Sequence, residues 1–128
     1  MSEIIWLLEE TVRAVHSRQI SEHGGKPGIR DEGLLLSALA RPQNLAAYGD
    51  PPPDLAALAA SYAFGIARNH PFIDGNKRVA LVAARTFLLI NGADLEASQE
   101  DKYVTFMRLA EGGLSEEDLA RWFRGRIR

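Results

Sequence analysis

From Val79 to Ile90 the chain is apolar around almost the whole circumference of a helix, through Val79, Ala80, Leu81, Val82, Ala83, Ala84, Phe87, Leu88, Leu89 and Ile90. A helix without a polar face has to be surrounded by other elements. The segment, about Gly75 to Asn91, is therefore predicted to be the central post of a helical bundle, with Asn91-Gly92 ending it. No strand-like alternation elsewhere lasts long enough to compete with helical periodicity.

The remaining helices follow from period and punctuation. A first is predicted from about Glu3 to Glu22, with Ile5, Leu8, Val12, Val15 and Gln19 on one face and His16 beside it. His23-Gly24-Gly25-Lys26-Pro27-Gly28 breaks it. Asp31 can cap a second, with Leu34, Leu35, Ala38 and Leu39 as its apolar face, fading near Arg41-Pro42. Gln43 to Pro53, with Gly49 and three successive prolines, reads as a surface loop. Asp54 caps an alanine-rich third helix reaching about Asn69. Two shorter helices are expected near Glu100–Ala110 and Glu116–Arg126, the latter capped by Ser115 with Asp118 three residues on. The expectation is an all-α, single-domain array of about six helices spanning residues 1–128.

Composition removes several classes of function. The 128 residues contain no cysteine, which excludes a disulfide scaffold, a Cys-ligated metal and a thiol nucleophile. A net charge of −2 supplies no general attraction to nucleic acid or to anionic membrane. The least polar long run, Leu55 to Ala67, is 13 residues, whereas a membrane span needs about 20. The N-terminus, MSEIIWLLEE, has no cationic region before its apolar stretch. A soluble, cytoplasmic domain is expected.

Chemistry concentrates in the nine residues His70-Pro71-Phe72-Ile73-Asp74-Gly75-Asn76-Lys77-Arg78. Pro71 forces the third helix to end at His70, and the chain restarts as a helix near Gly75. Phe72 and Ile73 are assigned to the core, where an apolar pair would pin the loop. Lys77 and Arg78 then sit at the positive end of a helix dipole, where exposed cations each cost a few tenths to about 1 kcal/mol. A bound anion reverses that sign, because backbone N–H groups, dipole and both cations converge on it. Gly75 lets the backbone approach closely.

Asp74 lies beside that anion site and could hold Mg²⁺, which binds through one or two carboxylates plus phosphate oxygens. His70 carries an imidazole, the side chain most often used to take a proton from a hydroxyl at neutral pH. Singly, Asp74 reads as a helix cap, His70 as a hydrogen-bonded core histidine, and Lys77 and Arg78 as solvated charges. Those separate roles do not account for two cations at a helix N-terminus. The combination reads as a phosphoryl- or nucleotidyl-transfer site.

HPFIDGNKR is similar to the signature of Fic-domain proteins, roughly H-P-F-x-[D/E]-G-N-G-R. It resembles the Doc (death-on-curing) branch of that Fic/Doc family more closely, since there lysine replaces the last glycine. His23 to Asp31, and Leu36-Ser37-Ala38-Leu39-Ala40-Arg41-Pro42-Gln43, also look like the Doc-type N-terminal half. The resemblance covers essentially the whole chain. It implies a Fic-like helical fold, His70 as general base, Asp74 as Mg²⁺ ligand, and Gly75 and Asn76 lining an anion hole, Asn76 with its side chain as well. Arg78 would grip the phosphates of ATP, and Lys77 would add a phosphate contact.

Two departures from the wider Fic pattern point to Doc: Lys77 itself, and Leu81 where AMP-transferring members commonly carry a further arginine. The resemblance thus implies a toxin of a toxin–antitoxin pair. It would be a protein kinase moving the γ-phosphate of Mg-ATP to a Thr or Ser of a translation factor, elongation factor Tu foremost. An AMP transferase and a non-enzymatic binding module are the alternatives. An inhibitory motif of the form [S/T]-x-x-x-E-[G/N] is not visible, because Gly28 and Met107 stand four residues before Glu32-Gly33 and Glu111-Gly112. That agrees with restraint by a separate Phd-like antitoxin, whose disordered segment would fold into a groove on the helices.

Weaker features admit two readings each. His16 recurs in the Doc-like pattern and also suits a packed helix histidine. Arg121, Arg124, Arg126 and Arg128 suit a solvated helix end or a phosphate or partner contact. Trp6 and Trp122 read as core or groove lining. The 43–53 loop stands where Fic proteins place a target-docking flap, or is an inert connection.

Overall fold

The computed structural model describes residues 3–128; Met1 and Ser2 lie outside it. Six helices follow one another: α1 (Glu9–His23), α2 (Glu32–Tyr48), α3 (Leu55–Asn69), α4 (Asn76–Ile90), α5 (Gln99–Ala110) and α6 (Glu116–Arg124). Among the described residues strand pairing is limited to two isolated bridges, Ile29 with Phe72 and Leu95 with Ile127. The all-helical reading holds.

The most enclosed helix is α3 rather than α4. Ten of its fifteen residues are buried, and it packs against α2, α4, α5 and α6. Alanines at 56, 59, 60, 63 and 67 allow that crowding, since their side chains lose no rotamer freedom and keep the neighbours close. Beside it, α4 buries one face through Val79, Ala80, Ala83, Ala84, Phe87 and Leu88. Its other face, with Leu81, Val82 and Leu89, lines an open cleft. Apolar residues all round α4 therefore signal a second, unfilled surface as well as a core position.

Two boundaries differ from the periodic reading. Residues 3–8 are not helical, and Leu8 is extended. Ile5 exchanges two hydrogen bonds with the Asn91 side chain, and the Leu7 N–H donates to the Tyr62 hydroxyl. Trp6 stacks on Phe87 at 6.1 Å. These distant partners satisfy the backbone that a helix would otherwise satisfy locally. In α2, Pro42 sits inside the helix, which runs on to Tyr48. Leu35, Ala38, Leu39 and Pro42 form one buried stripe, so burial of the proline ring offsets the helix hydrogen bond it cannot donate. The proline-rich loop shrinks accordingly to residues 49–54, without a hairpin.

Side-chain caps from Asp31, Asp54, Ser98 and Ser115 start α2, α3, α5 and α6. α1 lacks a side-chain cap but has Glu9 and Glu10 in its first turn. α4 has neither. Among the described residues no helix is long and apolar enough to cross a membrane.

Candidate active site

The nine-residue segment joins α3 to α4 and is clamped to the connection between α1 and α2. The Pro71 carbonyl accepts from the N–H groups of Arg30 (2.7 Å) and Asp31 (3.1 Å), and the Ile73 N–H donates to the Gly28 carbonyl at 3.1 Å. Phe72 is buried and Pro71 with it. Ile73 is not core: it is 51% exposed, because its neighbour Phe72 takes the inward position and consecutive residues of an extended segment face opposite ways.

Asn76 is 6% exposed and bound into the loop. Its Oδ1 accepts from the Phe72 N–H at 3.0 Å, and its Nδ2 donates to the Phe72 carbonyl at 2.9 Å. Its amide thus shapes the turn, and its backbone N–H stands at the helix N-terminus. Nδ2 also faces the His70 Nδ1 at 3.4 Å.

Gly75 begins α4 with φ 82°, a left-handed conformation that glycine adopts without penalty. Without a cap, the first N–H groups of α4 remain available. Around them an open cleft of about 330 Å³ is lined by Ala67, His70, Ile73, Asp74, Gly75, Asn76, Lys77, Arg78 and Ala110. Every member of the sequence motif from His70 onward, except the buried Pro71 and Phe72, reaches this cleft.

The Asp74 carboxylate accepts at Oδ2 from the Lys26 N–H (3.1 Å) and at Oδ1 from the Gly75 N–H (2.9 Å). Those two bonds, with the charges of Arg78 and Lys26 behind them, hold its carboxyl below the usual carboxylate range. It is an exposed carboxylate oxygen donor with lone pairs to spare. Among the described residues it belongs to no cluster of three acidic or histidine side chains. A divalent cation held here would therefore take its remaining oxygens from phosphate and water, which is the habit of Mg²⁺.

Among the described residues Lys77 and Arg78 form no ion pair. Lys77 turns toward α5, with Nζ 2.9 Å from the Met107 Sδ and 5.4 Å from the centre of the Tyr103 ring. Both are weak partners for an ammonium. Lys77 and Arg78 also border a second cleft of about 500 Å³ between α1, α4 and α5, so the two cavities share these cations.

His16 was ambiguous in sequence; it is a buried positioning group for the loop. It is 5% exposed, its Nε2 lies 2.9 Å from the Asp74 carbonyl oxygen, and its ring stacks on Phe72. The sequence placed Arg30 and Gly25 in the α1–α2 connection without pointing to the site, yet Arg30 bonds the His70 carbonyl and a β-carbon on Gly25 would collide with Asp74. The doubled glycine before Lys26 was the available signal. The C-terminal arginines are paired instead: Arg121 with Asp118, Arg124 with Asp54, Arg126 with Asp101 and Arg128 with Glu96.

A family model, Fic/DOC family, matches residues 6–88, a span that includes the α1–α2 connection and the whole cleft loop. Toxin Doc of Mycolicibacterium smegmatis is 50% identical over 74 residues, which are 58% of this chain and 57% of that protein. Protein kinase doc of Escherichia phage P1 is 40% identical over 91 residues, 71% of each. The chain thus aligns with little more than half the length of the mycobacterial relative.

Proposed function

The chain belongs to the Fic/DOC family, and from that premise we propose that it is a Doc-like toxin acting as a protein kinase on a translation factor. The observation that carries the reading is the start of α4. Among the described residues it alone of the six helices begins with neither a cap nor an acid in its first turn, and it carries two cations without an ion-pair partner there, beside a carboxylate and a histidine. The fold gains nothing from that arrangement; a polyphosphate neutralises it.

In this reading the N–H groups at the head of α4, with Lys77 and Arg78, bind the phosphates of ATP. Asp74 holds Mg²⁺, which when bound would neutralise phosphate charge. His70 takes the proton from a Thr or Ser hydroxyl at Nε2. The oxygen bonds to the γ-phosphorus, the bond to the β–γ bridging oxygen breaks, and ADP leaves. The base form has its own proton on Nδ1, which leaves Nε2 free to accept.

A Phd-like antitoxin is the proposed partner. The 500 Å³ cleft between α1, α4 and α5 suits an acidic amphipathic segment: its floor includes Leu81, Val82, Leu89 and Phe106, its rim includes Lys77, Arg78, Arg85 and Lys102, and no carboxylate lines it.

The test is to incubate the purified protein with elongation factor Tu and Mg-ATP and weigh the factor intact. Addition of one phosphate, slowed by roughly a hundredfold to ten-thousandfold with His70→Ala, is expected. Addition of AMP would replace the kinase by an AMP transferase, and no addition with growth arrest retained in His70→Ala would point to binding alone.

A further inference from the structure

His70 ends α3 with φ 49° and ψ 55° and is the sole non-glycine residue of positive φ among the described residues. A residue before proline normally goes to extended backbone, and a β-carbon disfavours the left-handed region. The conformation therefore needs an external hold. Arg30 supplies one from the α1–α2 connection. Its Nε donates to the His70 carbonyl at 2.7 Å and its Nη2 to the Asn69 carbonyl at 2.8 Å. Its backbone N–H donates to the Pro71 carbonyl at 2.7 Å. One residue grips three consecutive carbonyls around the residue that presents the imidazole.

We propose that Arg30 is a positioning residue for His70, its guanidinium fork fixing the left-handed turn that places the imidazole in the cleft. The proposal rests on the reading of His70 as the base. Two adjacent carbonyls call for two donors at a fixed angle, which a planar guanidinium has and an ammonium lacks. Among the described residues Arg30 has no carboxylate partner, so these carbonyls are what its charge meets. A guanidinium that merely capped α3 would need only the helix's last carbonyls; this one reaches beyond the helix end.

The experiment compares Arg30→Ala, Arg30→Lys, His70→Ala and the double variant Arg30→Ala/His70→Ala in the full chain. Whichever group passes from Mg-ATP to elongation factor Tu is followed. Arg30→Ala is expected to lower kcat by roughly tenfold to a hundredfold, the effect of a misplaced reacting group, with KM for ATP within about twofold. Arg30→Lys recovers part of the rate. In the His70→Ala background, loss of Arg30 costs no further rate, because the two act as one unit. Should Arg30→Ala fail to fold, Arg30→Lys carries the same comparison.

Backbone chemical shifts of His70 are expected to move from positive to negative φ in the Arg30 variants. Undiminished kcat with only a lowered melting temperature, or an equal loss of rate in both backgrounds, overturns the proposal. If the wild type transfers nothing, the kinase reading fails by itself. The chemical shifts then decide: His70 keeping positive φ without Arg30 overturns the positioning role, and its loss supports it.

Discussion

The Nε2 atom of His16 lies 2.9 Å from the carbonyl oxygen of Asp74, while the same ring stacks on Phe72 with centroids 4.0 Å apart and planes 10° from parallel. α1 thus holds the cleft loop by a hydrogen bond and a stacked face at once. A carbonyl only accepts, so Nε2 is the protonated nitrogen. His16→Phe keeps the stacking and removes the donor, and should cost about 1 kcal/mol. His16→Ala removes both and leaves a cavity, for about 2–4 kcal/mol. Urea unfolding checks the order; equal losses would mean that the stacked ring contributes nothing beyond the hydrogen bond.

Asp74 is expected to divide metal dependence from folding. Asn in its place keeps an oxygen for the Gly75 N–H but loses the charge. Calorimetry of ATP binding with magnesium and with EDTA should differ for the wild type and coincide for Asp74→Asn, with melting temperatures alike. The depressed carboxyl pKa, set by the N–H groups of Lys26 and Gly75, gives the pH sign. Metal-dependent binding persists down through the ordinary carboxylate range, near pH 4, and disappears only as the pH falls below it and protonates Asp74.

Gly25 and Gly24 offer a matched comparison. Gly25 has φ 120°, and a β-carbon there would lie 2.7 Å from the Asp74 Oδ2 and 3.0 Å from the Ile20 Cδ1. Gly24 has φ 82° with nothing within 4 Å. Gly24→Ala meets only the backbone penalty, about 1–2 kcal/mol. Gly25→Ala meets strain and collision, and displaces the carboxylate as well. It should weaken Mg-ATP binding where Gly24→Ala does not; loss of binding in both would assign the effect to the backbone alone.

What could be read from the sequence was what is local in it. The HPFIDGNKR loop, the bounds of α3 and α4 and three of the four side-chain caps depend on residues within a few positions of one another. The N-terminal strap was misread as helix because its partners, Tyr62 and Asn91, lie 55 and 86 residues away. Distance along the chain also hid the roles of His16, 58 residues from Asp74, and Arg30, 40 from His70. The loop-shaping bonds of the Asn76 amide to Phe72, four residues before it, were not anticipated. Ile73 and the open face of α4 show the limit of hydrophobicity as a guide: an apolar residue identifies a surface that avoids water without saying whether this chain or a partner covers it.

The strap supplies the last prediction. The buried Tyr62 hydroxyl accepts from the Leu7 N–H at 3.1 Å, and the ring packs on Phe87 at 5.0 Å. Tyr62→Phe keeps the packing but leaves a buried N–H without a partner, for about 1–3 kcal/mol at neutral pH. Burial pushes the phenol's pKa up, and the Leu7 hydrogen bond only partly opposes this. The folded chain therefore keeps that proton at a pH where the unfolded chain has released it. The stability that Tyr62 contributes is full below about pH 10 and declines as the pH rises through the folded pKa. Urea unfolding of both proteins should show the gap narrowing in alkali; a gap that stays constant would mean that the phenol ionises equally well in either state.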